Sequence, residues 1–158
     1  MKLDHIAFRV PNRDKTVNHL SRMFNYEVGA EFEINFDDNS KAQCKALVED
    51  SLPEVFVSEG SRGSIVEKWI QNTPSEHGGI HHIAYKVENI DPIVKKWRDD
   101  GIEFLSDDVI DCPDDDLRQI FTKPQPLLGG IIIELIERGD KGFCENSVKE
   151  LMESTDEV

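Results

Sequence analysis

A near-copy within the chain limits its fold more than any other feature. Leu3-Asp4-His5-Ile6-Ala7-Phe8-Arg9-Val10 is echoed by Ile80-His81-His82-Ile83-Ala84-Tyr85-Lys86-Val87, an offset of 77 positions. The register runs past the strand, with Asn12 matching Asn89, Asp14 matching Asp91 and Val17 matching Val94. Self-similarity of this kind marks a duplicated structural unit. Whatever one copy folds into, the other should repeat.

Each copy can be read locally. Residues 5–10 are short, apolar-rich and stop at Pro11, as a strand should. Asn12 or Asp14 can then cap a helix over 13–24, whose Val17, Leu20 and Phe24 recur at helical spacing. Strands are expected near 26–36, 43–48 and 54–58, separated by Asp-Asp-Asn-Ser and Asp-Ser-Leu-Pro turns. The second copy gives a strand at 80–87 and a helix from Asp91 to Asp100 with Pro92 in its first turn and Gly101 as its stop. Strands near 102–105, 117–122 and 130–137 complete it. A connecting helix over 64–71 and a short amphipathic helix over 146–154 flank the second copy. The expected class is α+β: two tandem βαβββ modules, 1–60 and 80–137, forming a curved mixed sheet around a cleft. Residues 61–79 connect them, and 138–158 form a C-terminal loop and helix.

Composition removes several functions. The 32 acidic and 18 basic residues give a net charge of −14, which repels phosphate backbones and anionic headgroups. Neither nucleic acid nor membrane is expected as a partner. No apolar run approaches the ~20 residues that span a bilayer, and the first residues lack the apolar stretch of a signal peptide. A cytoplasmic protein is expected. Cys44, Cys112 and Cys144 are an odd count without a Cys-x-x-Cys pair, which favours free thiols over a disulfide or a zinc-thiolate site. Acidic clusters such as Asp114-Asp115-Asp116 lack the spacing of a calcium loop and read as solvated turns.

Three residues stand out against their surroundings. The repeat puts His5 and His82 at equivalent positions on equivalent strands, and a pseudo-twofold axis would bring them together. Glu134 lies within Gly130-Ile131-Ile132-Ile133-Glu134-Leu135-Ile136, a run that reads as a buried strand. An ionised carboxylate there costs several kcal/mol unless a cation offsets it. Arg118 or Arg138 could do so in a structural ion pair. A metal held by two neutral imidazoles and this carboxylate is the other solution, with coordination positions left open for catalysis. His81 points to the other strand face, and His19 and His77 read as surface residues.

The duplicated unit with its His-Ile-Ala strands resembles the vicinal oxygen chelate superfamily, which holds glyoxalases, extradiol dioxygenases, methylmalonyl-CoA epimerases and 4-hydroxyphenylpyruvate dioxygenases. The second half is most similar to the catalytic C-terminal domain of the last of these. Gln119-Ile120-Phe121-Thr122-Lys123-Pro124, Glu134-Leu135-Ile136-Glu137-Arg138 and Gly142-Phe143 carry that likeness. It implies that His5, His82 and Glu134 bind one divalent cation, Fe(II) first, with Mn, Co, Ni or Zn as alternatives. It also implies that Gln119, Phe121 and Phe143 border the substrate, a small 2-oxo acid oxidised by O2. Gln119 and Glu134 then carry the catalysis. Positions that contact substrate in the family hold His81, Ser58, Ile65 and Val148 here, a changed set that argues against an aromatic substrate. The family adds a further domain of the same kind, so a homodimer is expected by analogy.

Two other readings follow from the same superfamily. Gly79-Ile80-His81-His82 and Gly129-Gly130 are similar to methylmalonyl-CoA epimerase, a metal-dependent isomerase. The position of its extra glutamine ligand falls near Val55, and that of its second base near Lys45 or Ala46. Metal-free drug-sequestering members form the third class, which has no need of the complete triad.

Overall fold

The computed structural model describes residues 1–158. It is an α+β protein of eight strands and four helices, and the duplication is visible in it element by element. The chain divides into two compact units, His5–His81 and Met1–Asp4 with His82–Val158.

The first βαβββ module comprises β1 (Lys2–Arg9), α1 (Arg13–Phe24), β2 (Glu27–Asn35), β3 (Lys41–Val48) and β4 (Glu54–Gly60). β1 pairs in parallel with β4, and β4, β3 and β2 follow as antiparallel neighbours. α1 begins where the cap residue predicts: the Asn12 side chain accepts from the Lys15 amide at 3.0 Å. It ends at Asn25, whose left-handed backbone (φ 58°) suits asparagine. Its inner face buries Val17 against Val10, Tyr26, Leu47, Val55 and Val57. Each fully buried side chain of that size contributes roughly 1.5–3 kcal/mol. α2 (Ile65–Gln71) follows β4, capped by the Ser64 hydroxyl at the Glu67 amide.

The second module repeats the order with β5 (Gly79–Lys86), α3 (Ile90–Asp99), β6 (Ile110–Cys112), β7 (Leu117–Phe121) and β8 (Ile132–Arg138). β5 pairs in parallel with β8, then β7 and β6 follow antiparallel. α3 packs Ile90 and Val94 against Val87, Ile120 and Leu135. Gly101 takes φ 87° just past its end, a conformation that costs glycine little. α4 (Glu145–Ser154) closes the chain.

Two expectations need correction. The strand expected at 102–105 shrinks to one bridge, Phe104 with Thr122, and the strand that pairs with β7 is Ile110–Cys112. The intervening Ser106-Asp107-Asp108 folds on itself, with the Ser106 hydroxyl donating to the Asp108 carbonyl and Arg98 donating to the Ser106 and Asp107 carbonyls. Those local bonds compete successfully with a strand ladder. The cysteines are not all free either. Cys112 and Cys144 form a disulfide with their Cα atoms 6.7 Å apart, and Cys44 is a buried thiol outside that bond. Counting cysteines could not show that the end of β6 meets the start of α4 across 32 residues. No helix is long and apolar enough to cross a membrane.

Candidate functional site

In the second unit the strand alternation sorts residues onto two faces. β8 sends Leu135 toward α3, and Ile132, Glu134 and Ile136 to the opposite face. β7 sends Leu117, Gln119 and Phe121 to that same opposite face, and β5 contributes His82 and Ala84. α4 covers this face at two points. Cys144 packs with Ala84, Leu117 and Ile136, and Leu151 packs with Ile110, Phe121 and Ile132. His82, Gln119 and Glu134 therefore form a polar group walled by apolar side chains.

The carboxylate is at the centre of that group. Glu134 is 1% exposed. His82 Nε2 stands 3.0 Å from Glu134 Oε2, and Gln119 Nε2 donates to Glu134 Oε1 at 2.7 Å. The Phe121 ring centroid lies 4.7 Å from that of His82. The rival partners of the carboxylate are engaged by other acids. Arg118 makes a two-pronged contact with Asp91 at 2.8 and 2.9 Å, and Arg138 Nε donates to Asp4 at 3.0 Å.

The donor set suits a divalent cation. Two ligand atoms each about 2.1 Å from a metal and at right angles stand about 3.0 Å apart, the separation seen between His82 Nε2 and Glu134 Oε2. A hydrogen bond would also give this distance, so metal binding is the observation that separates the two. Gln119 holds the second carboxylate oxygen, the kind of outer support that orients a ligand.

The first unit holds His5, Ser58, Ile65 and His81. His5 is 2% exposed on β1, opposite Glu54 of β4. Ser58 is buried, and its hydroxyl lies 3.6 Å from the Cys44 sulfur. His81 is buried with its ring edge-on to Trp69 of α2, the centroids 5.2 Å apart. In the second unit Phe143 is half-buried, with the Arg138 guanidinium 5.0 Å from its ring centroid, and Val148 is buried on α4. Ile65 begins α2. His19 and His77 are exposed, as expected.

Arg9 and Ser147 are among the buried polar residues that the sequence pattern did not single out. Arg9 shares the His5 face of β1 and is 3% exposed. Burial pushes its pKa down to about 9, opposed by the Cys44 thiol. A cation inside the apolar run of β1 was a legible signal. Ser147 on α4 is 1% exposed, and nothing in the sequence distinguished it. Gly78, at φ 71°, admits no side chain, because a Cβ there would meet the Arg9 carbonyl.

Comparison with known proteins places these features in context. The family model described as the Glyoxalase/Bleomycin resistance protein/Dioxygenase superfamily matches residues 4–120. 4-Hydroxyphenylpyruvate dioxygenase of Pseudomonas aeruginosa is 33% identical over 124 residues, covering 60% of this chain and 34% of that protein. The fold is similar to that of a mutant 4-hydroxymandelate synthase from Streptomyces coelicolor, with TM-score 0.82 at 20% identity over 98% of this chain and 53% of that one. It is also similar to methylmalonyl-CoA epimerase from Mycobacterium tuberculosis, with TM-score 0.69 at 19% identity over 89% of each chain. The chain thus spans about a third of the dioxygenase and half of the synthase.

Proposed function

The chain belongs to the Glyoxalase/Bleomycin resistance protein/Dioxygenase superfamily, and we propose that within it the protein is a non-haem Fe(II) oxygenase acting on a small 2-oxo acid. The observation that carries this reading is Glu134, a carboxylate buried on an α4-covered face between His82 and Gln119. The dioxygenase relative at 33% identity favours oxygenation over isomerisation.

In this reading His5, His82 and Glu134 are the ligands of one cation. His5 joins the set by the repeat: it stands opposite the first residue of β4, as His82 stands opposite the first residue of β8. When bound, the cation supplies Lewis-acid and redox chemistry at a site with coordination positions to spare. The chain's own residues do the rest. Gln119 fixes the carboxylate so that it cannot rotate away from His82. Phe121 packs against the His82 ring and limits its orientation. Ile132, Ile136 and Leu151 keep water from the face, which strengthens each polar contact there. Val148 on α4 and Phe143 just before it border the substrate together with Ser58 and His81.

Anaerobic loading with Fe(II), followed by oxygen uptake on a panel of 2-oxo acids, tests the proposal. Uptake with one of them establishes the reaction class. Stoichiometric metal without uptake on any acid would leave an isomerase or lyase of the epimerase kind. Failure to bind any divalent cation would return the protein to the metal-free binding class.

A further inference from the structure

Two polar atoms in the second unit are buried without a hydrogen-bond partner: Gln119 Oε1 and Ser147 Oγ. Both residues are 1% exposed. Each such atom costs about 1–3 kcal/mol if it stays unsatisfied. The amide of Gln119 cannot escape by flipping, because its Nε2 donates to Glu134 Oε1 and a flip would set two acceptors against each other. Oε1 is therefore a fixed acceptor in search of a donor.

Ser147 is on the side of α4 that covers the strand face carrying that acceptor. On the same side of α4, Cys144 packs with Leu117 and Ile136, and Leu151 packs with Phe121 and Ile132. Ser147 is one turn before Leu151 on the same helix face. Gln119 is midway between Leu117 and Phe121 on β7, and Glu134 is midway between Ile132 and Ile136 on β8. The midpoint of the helix stripe thus falls over the Gln119–Glu134 pair.

We propose that Gln119 Oε1 and Ser147 Oγ form a subsite for a hydroxyl group on the substrate, with Ser147 as a specificity-determining residue. The inference rests on the metal-site reading above. A hydroxyl suits both atoms, donating to the amide oxygen and accepting from the serine. A methyl group would leave both unsatisfied, and a carboxylate would face the lone pairs of Oε1. An ammonium would lie beside the divalent cation. The subsite adjoins Glu134, a ligand in that reading, so the hydroxyl belongs within a carbon or two of the chelating oxygens. The substrate class is a small 3-hydroxy-2-oxo acid rather than one with a distant ring hydroxyl.

Pyruvate and hydroxypyruvate differ by this one hydroxyl and serve as the probes. Their binding to the metal-loaded protein, kept anaerobic and followed by calorimetry, reads the subsite without turnover. Hydroxypyruvate is expected to bind roughly 3- to 10-fold tighter, the range of one neutral hydrogen-bonded group. Ser147→Ala should erase that preference and leave pyruvate affinity unchanged, whereas Ser147→Thr, which keeps the hydroxyl, should retain it. Equal affinities in the unmodified protein would overturn the inference and assign the pair to a buried water. A preference that survives Ser147→Ala would overturn the role of Ser147. A protein that takes up no metal fails earlier, at the metal-site reading itself.

Discussion

The helix-bearing face is built the same way in both modules, and the opposite face is not. On the helix side, the first amide of each crossover helix is held by a glutamate from the module's last strand. Glu59 accepts from the Arg13 amide and Glu137 from the Ile90 amide, both at 3.0 Å. The residue after each first strand also donates to the same kind of partner, Val10 to the Ser58 carbonyl and Val87 to the Ile136 carbonyl, both at 2.9 Å. On the other face, matched register positions have diverged. Ala7 lies opposite Phe56 where Ala84 lies opposite Glu134. Phe56 in turn faces Ala46, and Glu134 faces Phe121. Cys44 beside Ser58 stands where Gln119 stands beside Ile136. Duplication supplied one framework twice, and the buried carboxylate Glu134 with its Gln119 partner arose on one face of one copy while the framework stayed fixed. On the first strand of each module, the pairs His5 and His82 and Ala7 and Ala84 are kept in both copies of that face.

The largest test of this contrast exchanges the diverged pair. Glu134→Gln removes the anionic ligand of the proposed site and should abolish metal binding measurable by calorimetry, a loss beyond the 10- to 100-fold typical of changes to residues that only support a ligand. Phe56→Leu, at the matching position, should leave metal affinity intact and cost about 1 kcal/mol of stability. Unchanged affinity in Glu134→Gln would mean that the carboxylate is structural.

A second difference is covalent. The second unit ties β6 to α4 through Cys112–Cys144, and the helix after the first module, α2, has no such tie. Breaking the bond with Cys112→Ser is expected to cost about 2–4 kcal/mol in urea unfolding. Hydrogen exchange should show protection lost in α4 and kept in α1. Uniform loss across both helices would mean that the two units unfold as one.

A subtler asymmetry lies in the caps. Asn12 and Asn89 match in the repeat, yet only Asn12 accepts a helix amide through its side chain. Asn12→Ala should cost about 1 kcal/mol and Asn89→Ala only a few tenths. Equal costs would show that the glutamate contact, common to both helices, is the cap that counts.

Much of this was legible because duplication forces local signals to agree. The 13–24 helix and the histidine positions followed from a period and an offset, both local to the sequence. The pairing of Cys112 with Cys144 was not, since it depends on which edge of the second module α4 reaches. Parity of three cysteines argued the other way. The break between Phe104 and Ile110 was hidden too, because a loop closed by its own side-chain bonds carries no distinct apolar pattern. Ser147 was invisible for a similar reason. Its burial comes from helix rotation over β7, and a serine at a helix start otherwise reads as a solvated first turn.

The smallest effect tests whether the repeated framework is also energetically repeated. Asp14 and Asp91 occupy the first turn of α1 and α3, and each meets a cation from another strand of its module. Lys45 Nζ donates to Asp14 at 3.0 Å, and Arg118 donates to Asp91 at 2.8 and 2.9 Å. Hydrogen bonds from Lys45 and Arg13 hold Asp14 below the ordinary 3.8, and the bond from Arg118 does the same for Asp91. A carboxylate with a lowered pKa in the folded state stabilises the fold above its unfolded value. That contribution is lost as pH falls through the folded value, where the unfolded chain has already taken up its proton. Asp14→Asn and Asp91→Asn should therefore each lower the urea midpoint slightly at about pH 6. Neither should differ from the unmodified protein once the pH is well below the folded values. Both carboxylates are solvent-exposed, so the effects should be small and should shrink in about 1 M salt. Similar shifts from the two variants would mean that the framework is duplicated in energy as well as in form. A shift from Asp91→Asn alone would point to the two-pronged arginine contact as the one that matters, and would date the divergence of the modules to both faces rather than one.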